Sequence, residues 1–292
     1  MYAVMGITGQ VGGAVARTLL AGGRQVRGVV RNPARAADWA SRGVSLATAD
    51  QADAAALMAA FHGTEGAFVM LPPMFAPSPD FAEARGLIAV LHSALSAASI
   101  PRVVALSTIG AQHEAGTGIL KGLYLMEQSL ATLHMPIAFV RAAWFMENAA
   151  WDVQPASEQG ELSSYLQPLD QPFPMVSTQD VGRVAAEVLA GPAWSGRRVV
   201  ELEGPRRYSP NDLALALSQV VRRPVQPRAV PREQWEPAFQ AQGAPPAAAM
   251  LRAQMLDGFN TGHVDFGGES EHVRGSVSLD EAVAKLSRPA QE

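Results

Sequence analysis

The chain of 292 residues contains no cysteine, which excludes disulfides, thiolate catalysis and thiolate-bound metal. Basic residues are few and scattered: 23 lysines and arginines stand against 27 aspartates and glutamates, a net charge of −4. Without a basic run, neither a nucleic acid nor an anionic membrane surface is an expected partner. No apolar stretch reaches the ~20 residues that a membrane span requires. The longest candidate, 86–101, is interrupted by His92, Ser93, Ser96 and Ser99. A basic n-region with an apolar core and cleavage site is missing too, so a cytoplasmic location is expected. The six histidines, at 62, 92, 113, 134, 263 and 272, have no carboxylates at metal-ligand spacing, and no metal is expected. Tyrosine is scarce, and none of the four is followed four residues later by lysine; Gly6, Gln128, Leu169 and Asp212 stand at those places.

What is present alternates between apolar strand-like runs and helical periodicity. Strands are expected at 2–5, 25–30, 44–49, 66–71, 102–106, 137–140 and 198–202. Helices are expected after the first strand and at 54–61, 80–98, 119–133 and 181–189. This alternation predicts an α/β fold with a doubly wound parallel sheet. The segments 155–175 and 205–292 are richer in Pro, Gly, Gln and Glu, with short helical pieces at 211–221 and 247–256. Residues 1–150, completed by 176–204, are therefore expected to form the larger sheet domain, a Rossmann domain that the glycines at 6, 9 and 12 after its first strand mark as dinucleotide-binding. Residues 151–175 and 205–292 are expected to form a smaller α+β substrate lobe over the carboxyl ends of the strands. Asp180, with Ser177 and Thr178 just upstream, reads as an N-cap of the helix that follows.

The first strand runs into Gly6-Ile7-Thr8-Gly9-Gln10-Val11-Gly12, after which a helical pattern opens. Glycines at this spacing allow a tight turn, let a pyrophosphate approach bare backbone, and bring the helix close to the strand. Gly6, Thr8, Gly9, Gln10, Val11 and Gly12 are thus candidate cofactor contacts. In a doubly wound sheet, ligands lie outside the carboxyl ends of the strands. Those ends add Arg31 and Asn32, Asp50 and Gln51, Leu71 and Pro72, and Ser107 and Thr108. An Asp or Glu at the end of the second strand would favour NAD(H) by binding the ribose 2′-hydroxyl. Here that place holds Arg31, with Arg35 four residues on, and a guanidinium there suits a 2′-phosphate. The expected cofactor is NADP(H). Asp50 either closes the adenine side of the pocket or caps the next helix, and Ser107 and Thr108 either meet the cofactor or cap their own turn.

These residues, together with VVRNPARA, LMEQSLATLHMPIAFVRAAWFMEN, VSTQDVGRVAAEVL and ELEGPRRYSPNDLA, resemble the NmrA-like family of atypical short-chain dehydrogenase/reductase proteins. The resemblance covers nearly the whole chain. It implies one of two activities: an NADPH-dependent oxidoreductase passing hydride to a quinone or similar small carbonyl acceptor, or an NADP(H)-binding redox sensor that acts without turnover. Reductases of the parent superfamily use a tyrosine with a lysine four residues later, and that pair is absent here. Many relatives also carry Lys or His four residues before the glutamate matched by Glu127, where this chain has Leu123.

Lys121 and Tyr124, three apart on one helix face, are the substitutes at hand. Lys121 can bind the nicotinamide ribose and Tyr124 donate a proton; alternatively, one is solvated and the other packs on the sheet. Trp144, Phe145 and Met146 follow the sixth strand. They offer flat apolar side chains to an aromatic acceptor such as a quinone, or they form core between the lobes. A small-molecule substrate is the expected partner. Oligomeric state leaves no signal in the sequence.

Overall fold

The computed structural model describes residues 1–268 and 270–286. Glu269 and residues 287–292, which the sequence reading gives to the lobe, lie outside the described residues. Eight strands form one wholly parallel sheet. Its order is Glu271–Arg274, Arg197–Glu203, Ile137–Ala142, Val103–Thr108, Gly66–Val69, Tyr2–Met5, Val26–Val30 and Ser45–Thr48. This is the doubly wound α/β fold expected from the sequence, with the strand order reversing between Tyr2–Met5 and Gly66–Val69.

The inner strands are apolar because both sheet faces are covered. Alternate residues of Tyr2–Met5 enter two different cores. Tyr2 and Val4 pack with Phe68, Val104, Val15 and Val181. Ala3 and Met5 pack with Val69, Ala105, Leu57, Phe61 and Leu95 on the other face. On the first face the helix Gln10–Ala21 lies against the helix Thr178–Ala190. A Cβ on Gly182 would overlap the Ala14 side chain and stand 2.7 Å from the Val15 nitrogen, so only glycine permits this approach.

A third core joins Ile109 and Met146 to Phe173, Trp235, Phe239 and Phe259. It is roofed by the helices Val153–Gln159, Pro210–Val221, Trp235–Ala241, Pro246–Asn260 and Leu279–Ala284. Two short parallel ladders complete this region: Glu161–Ser164 with Gln226–Ala229, and Trp144–Phe145 with Met175–Val176.

Three expectations need correction. The strand Glu271–Arg274 lies within the stretch read as lobe, yet it pairs with Arg197–Glu203 as the sheet edge. Its side chains are mostly exposed, so no apolar run marks it. The fourth strand ends at Val69, before Met70 and Leu71, because the chain must leave the ladder ahead of Pro72-Pro73. The N-cap of Thr178–Ala190 is Ser177, whose hydroxyl accepts from the Gln179 N–H. Asp180 is 1% exposed and reaches elsewhere: it accepts the N–H groups of Ser276 and Val277 at 2.9 and 2.8 Å and pairs with Arg183. Among the described residues no helix is long and apolar enough to cross a membrane, and no group of three or more His, Cys, Asp or Glu could hold a metal ion.

Candidate functional site

Gly6 turns the chain at the end of the first strand with φ +65°, a left-handed conformation that disfavours any Cβ. The Gly9 N–H closes the turn on the Gly6 carbonyl at 2.9 Å. Gly9 is also the cap of Gln10–Ala21, and among the described residues no side chain caps that end. The first-turn N–H groups therefore lack a side-chain acceptor and present the positive end of a twelve-residue helix, the physical requirement for holding a phosphate. At Gly12 a Cβ would overlap the Gly6 carbonyl and stand 2.6 Å from the Met5 oxygen, so the helix abuts the strand backbone directly. Thr8, Gly9 and Gln10 are exposed around this cradle, and Val11 is buried beneath it.

The neighbouring strand ends bring the other sequence candidates to the same edge, with separate local roles. Met5 pairs with Val29, which sets Arg31 one strand away from the loop. Arg31 and Arg35 are exposed, and Arg31 has no ion-pair partner among the described residues. Asn32 caps the short turn of helix Pro33–Ala36, accepting from the Ala34 N–H. Asp50 is exposed and accepts from the Ala52 N–H at 2.8 Å, whereas the cap of Ala54–Phe61 is Asp53. Gln51 and Pro72 are half-buried, and Leu71 is buried.

Ser107 faces inward. Its hydroxyl donates to Glu127 at 2.5 Å, and Arg141 holds both oxygens of the same carboxylate at 3.0 and 2.7 Å. Arg141 also lies 3.8 Å from the buried Glu201, whose carboxylate accepts the Gly267 N–H at 3.1 Å. This buried network ties the fifth, sixth and seventh strands to the C-terminal segment and leaves the Ser107 proton committed. Glu147 is similarly engaged, accepting from the Ser177 hydroxyl and the Thr178 N–H.

Thr108, one residue further, opens onto a cavity of about 830 Å³. The sheet side contributes Thr108, Ile109, Trp144, Phe145, Met146 and Asn148. The other side contributes Leu162, Tyr165, Arg252, Met255, Leu256 and Phe259. Trp144 and Phe259 meet edge to face with ring centroids 5.4 Å apart. Phe75 and Trp151, 61% and 60% exposed, make a second edge contact at 5.8 Å where the cavity meets solvent. Lys121 and Tyr124 are half-buried on the helix Lys121–Leu130 and are not part of this lining, although Ile119 just before them is.

Three titratable cavity residues escaped the sequence reading. Burial pushes the Asp152 carboxyl up to about 6. Burial also raises the Tyr165 phenol, against the pull of Arg252 and with a push from Asp152. For Arg252, burial lowers the pKa. Their segments have weak periodicity, and only the fold encloses them. The wall holding Arg252 is fixed by Gly118 (φ +54°), where a Cβ would overlap the Leu251 carbonyl and stand 2.6 Å from the Met255 nitrogen.

Residues 2–263 match the model of the NmrA-like family. The chain is 29% identical over 250 residues to an NAD(P)H azoreductase of Xenophilus azovorans, covering 85% of this chain and 84% of that protein. It is 25% identical over 264 residues to quinone oxidoreductase 2 of Escherichia coli strain K12, covering 90% and 89%. Among solved structures it resembles an NADPH-dependent quinone oxidoreductase of Escherichia coli complexed with NADPH. There the TM-score is 0.81 at 24% identity, over 99% of this chain and 100% of the other.

Proposed function

The chain belongs to the NmrA-like family, and from that premise we propose that it is an NADPH-dependent oxidoreductase acting on a quinone or similar small carbonyl acceptor. One observation carries the reading. An uncapped glycine cradle at the switch point of the sheet shares the same strand edge with a large cavity lined by aromatic side chains. The similar azoreductase and quinone oxidoreductase support the reaction class. Residues 1–150 with 176–204, completed by the edge strand Glu271–Arg274, would serve the nucleotide and one wall of the acceptor cavity, and 151–175 with 205–268 the other wall.

In this reading Gly6, Gly9 and Gly12 with the first turn of Gln10–Ala21 hold the pyrophosphate, and Arg31 holds the 2′-phosphate. Bound NADPH supplies a hydride, and one proton from solvent or a cavity acid completes the two-electron reduction of the carbonyl. Positioning is the main task left to the protein. Trp144, Phe145 and Phe259 offer aromatic surface to a flat ring, and the apolar wall excludes water. Lys121 and Tyr124 lie away from the cavity lining, so Asp152 is the better placed proton source on its wall.

Following NADPH absorbance with a panel of quinones and aldehydes tests the proposal. Steady consumption with at least one quinone is the expected result. Tight NADPH binding with no turnover across the panel would instead identify a nucleotide sensor.

A further inference from the structure

Among the described residues, the half-buried arginines other than Arg252 are satisfied by carboxylates or by close backbone carbonyls: Arg27 donates to Ala60 and His62 at 3.0 and 2.9 Å, Arg102 donates to Gly191 at 2.8 Å, and the others have acidic partners. Arg141 has Glu127 and Glu201, Arg183 has Asp180 and Glu187, and Arg207 has Glu203 and Asp265. Arg232, beside the helix that bears Arg252, has Glu236 and Asp257. Arg252 is the exception on the cavity wall. Its guanidinium lies 4.1 Å over the Phe239 ring and makes one long hydrogen bond, 3.4 Å, to the Gln242 side-chain oxygen. No carboxylate stands within ion-pair distance of it among the described residues, and Asp152 on the same wall is not its partner.

A guanidinium half-withdrawn from water without a counter-charge is costly, and a ring face compensates only part of that cost. The remedy available inside an aromatic cavity is an anion that arrives with the ligand. A guanidinium fork matches two oxygens of a carboxylate or sulfonate side by side. We infer that Arg252 anchors an anionic group, a carboxylate or sulfonate, on a flat aromatic acceptor bound in this cavity. The inference rests on the oxidoreductase reading only in calling the ligand an acceptor.

The test compares 1,4-naphthoquinone with its 2-sulfonate as acceptors for the wild type, Arg252→Met and Arg252→Lys. Loss of a charge-assisted, partly buried contact is expected to lower the sulfonate-to-neutral ratio of kcat/KM by about tenfold or more in Arg252→Met. Arg252→Lys keeps the charge and should retain part of the preference; it also covers the case in which the methionine variant does not fold. A ratio unchanged in both variants overturns the inference. Should the wild type turn over neither quinone, the oxidoreductase reading is decided by the wider panel of quinones and aldehydes. The anchor is then decided by calorimetry with redox-inert naphthalene-2-sulfonate. Heat lost in Arg252→Met upholds it, and equal heats in wild type and variant overturn it.

Discussion

At the residue scale, two side chains tie chemistry to measurable change. Among the described residues Arg31 has no ion-pair partner, and it stands one strand from the glycine turn, so its charge is free to meet a phosphorylated ribose. Arg31→Asp is expected to weaken NADPH binding by about 100-fold and NADH binding by no more than about threefold, read by calorimetry. Equal losses for both nucleotides would remove Arg31 from the proposed role. Asp152 makes a prediction about pH. Its carboxyl is raised from 3.8 to about 6 by burial, so the folded chain holds this proton more tightly than the unfolded chain does. Stability from this group is greatest below about pH 4, declines as pH rises through the window to about 6, and is flat above. A shift of about two units corresponds to about 3 kcal/mol. Asp152→Asn should therefore raise the unfolding free energy by up to about 3 kcal/mol at pH 7.5 and leave it nearly unchanged at pH 4. Urea titrations at the two pH values check this, and a gain equal at both would show that burial of the charge is not the cause.

At the element scale, the decisive contacts are between backbones. The helices Gln10–Ala21 and Thr178–Ala190 touch where Gly182 meets Ala14 and Val15, and any added methyl must drive them apart. Gly182→Ala is expected to cost about 1–3 kcal/mol of stability, the usual penalty for overpacking. Gly86 is the control. It lies on the exposed face of the helix Ala82–Ala98, a Cβ there would meet nothing within 4 Å, and its φ is not positive. Gly86→Ala should stabilise by roughly 0.5–1 kcal/mol, because alanine restricts the unfolded chain. Thermal melts of the two variants should move in opposite directions; a shared loss would discount the helix contact.

At the scale of the whole molecule, the segment 271–286 is joined to the sheet and to the helix Thr178–Ala190 by buried carboxylates. Asp180 receives two N–H groups from Ser276 and Val277, and Glu203 pairs with Arg207, His272 and Arg274. Asp180→Ala leaves those donors and Arg183 without their acceptor. It is expected to lower stability by about 3 kcal/mol or more and to speed amide exchange in 271–286 before the central strands. Uniform exchange across the chain would argue against a local anchor. The same arrangement explains what the sequence could disclose. Strands buried on both faces announce themselves as apolar runs, and the glycine turn carries its spacing openly, so the sheet and its switch point were legible. Glu271–Arg274 was not, since an exposed polar edge strand exists only through its neighbour. Nor were Asp152, Tyr165 and Arg252, whose meaning comes from enclosure rather than from residue type. Ser107 shows the converse: its place at a strand end suggested a ligand contact or a turn cap, but a buried glutamate 20 residues on, Glu127, claims its proton.

Gly118 gives this cavity a jaw of fixed gap. Because the helix Pro246–Asn260 rests there on main chain, with no side chain as a spacer, a methyl added at residue 118 must lift that helix off the turn and widen the bite.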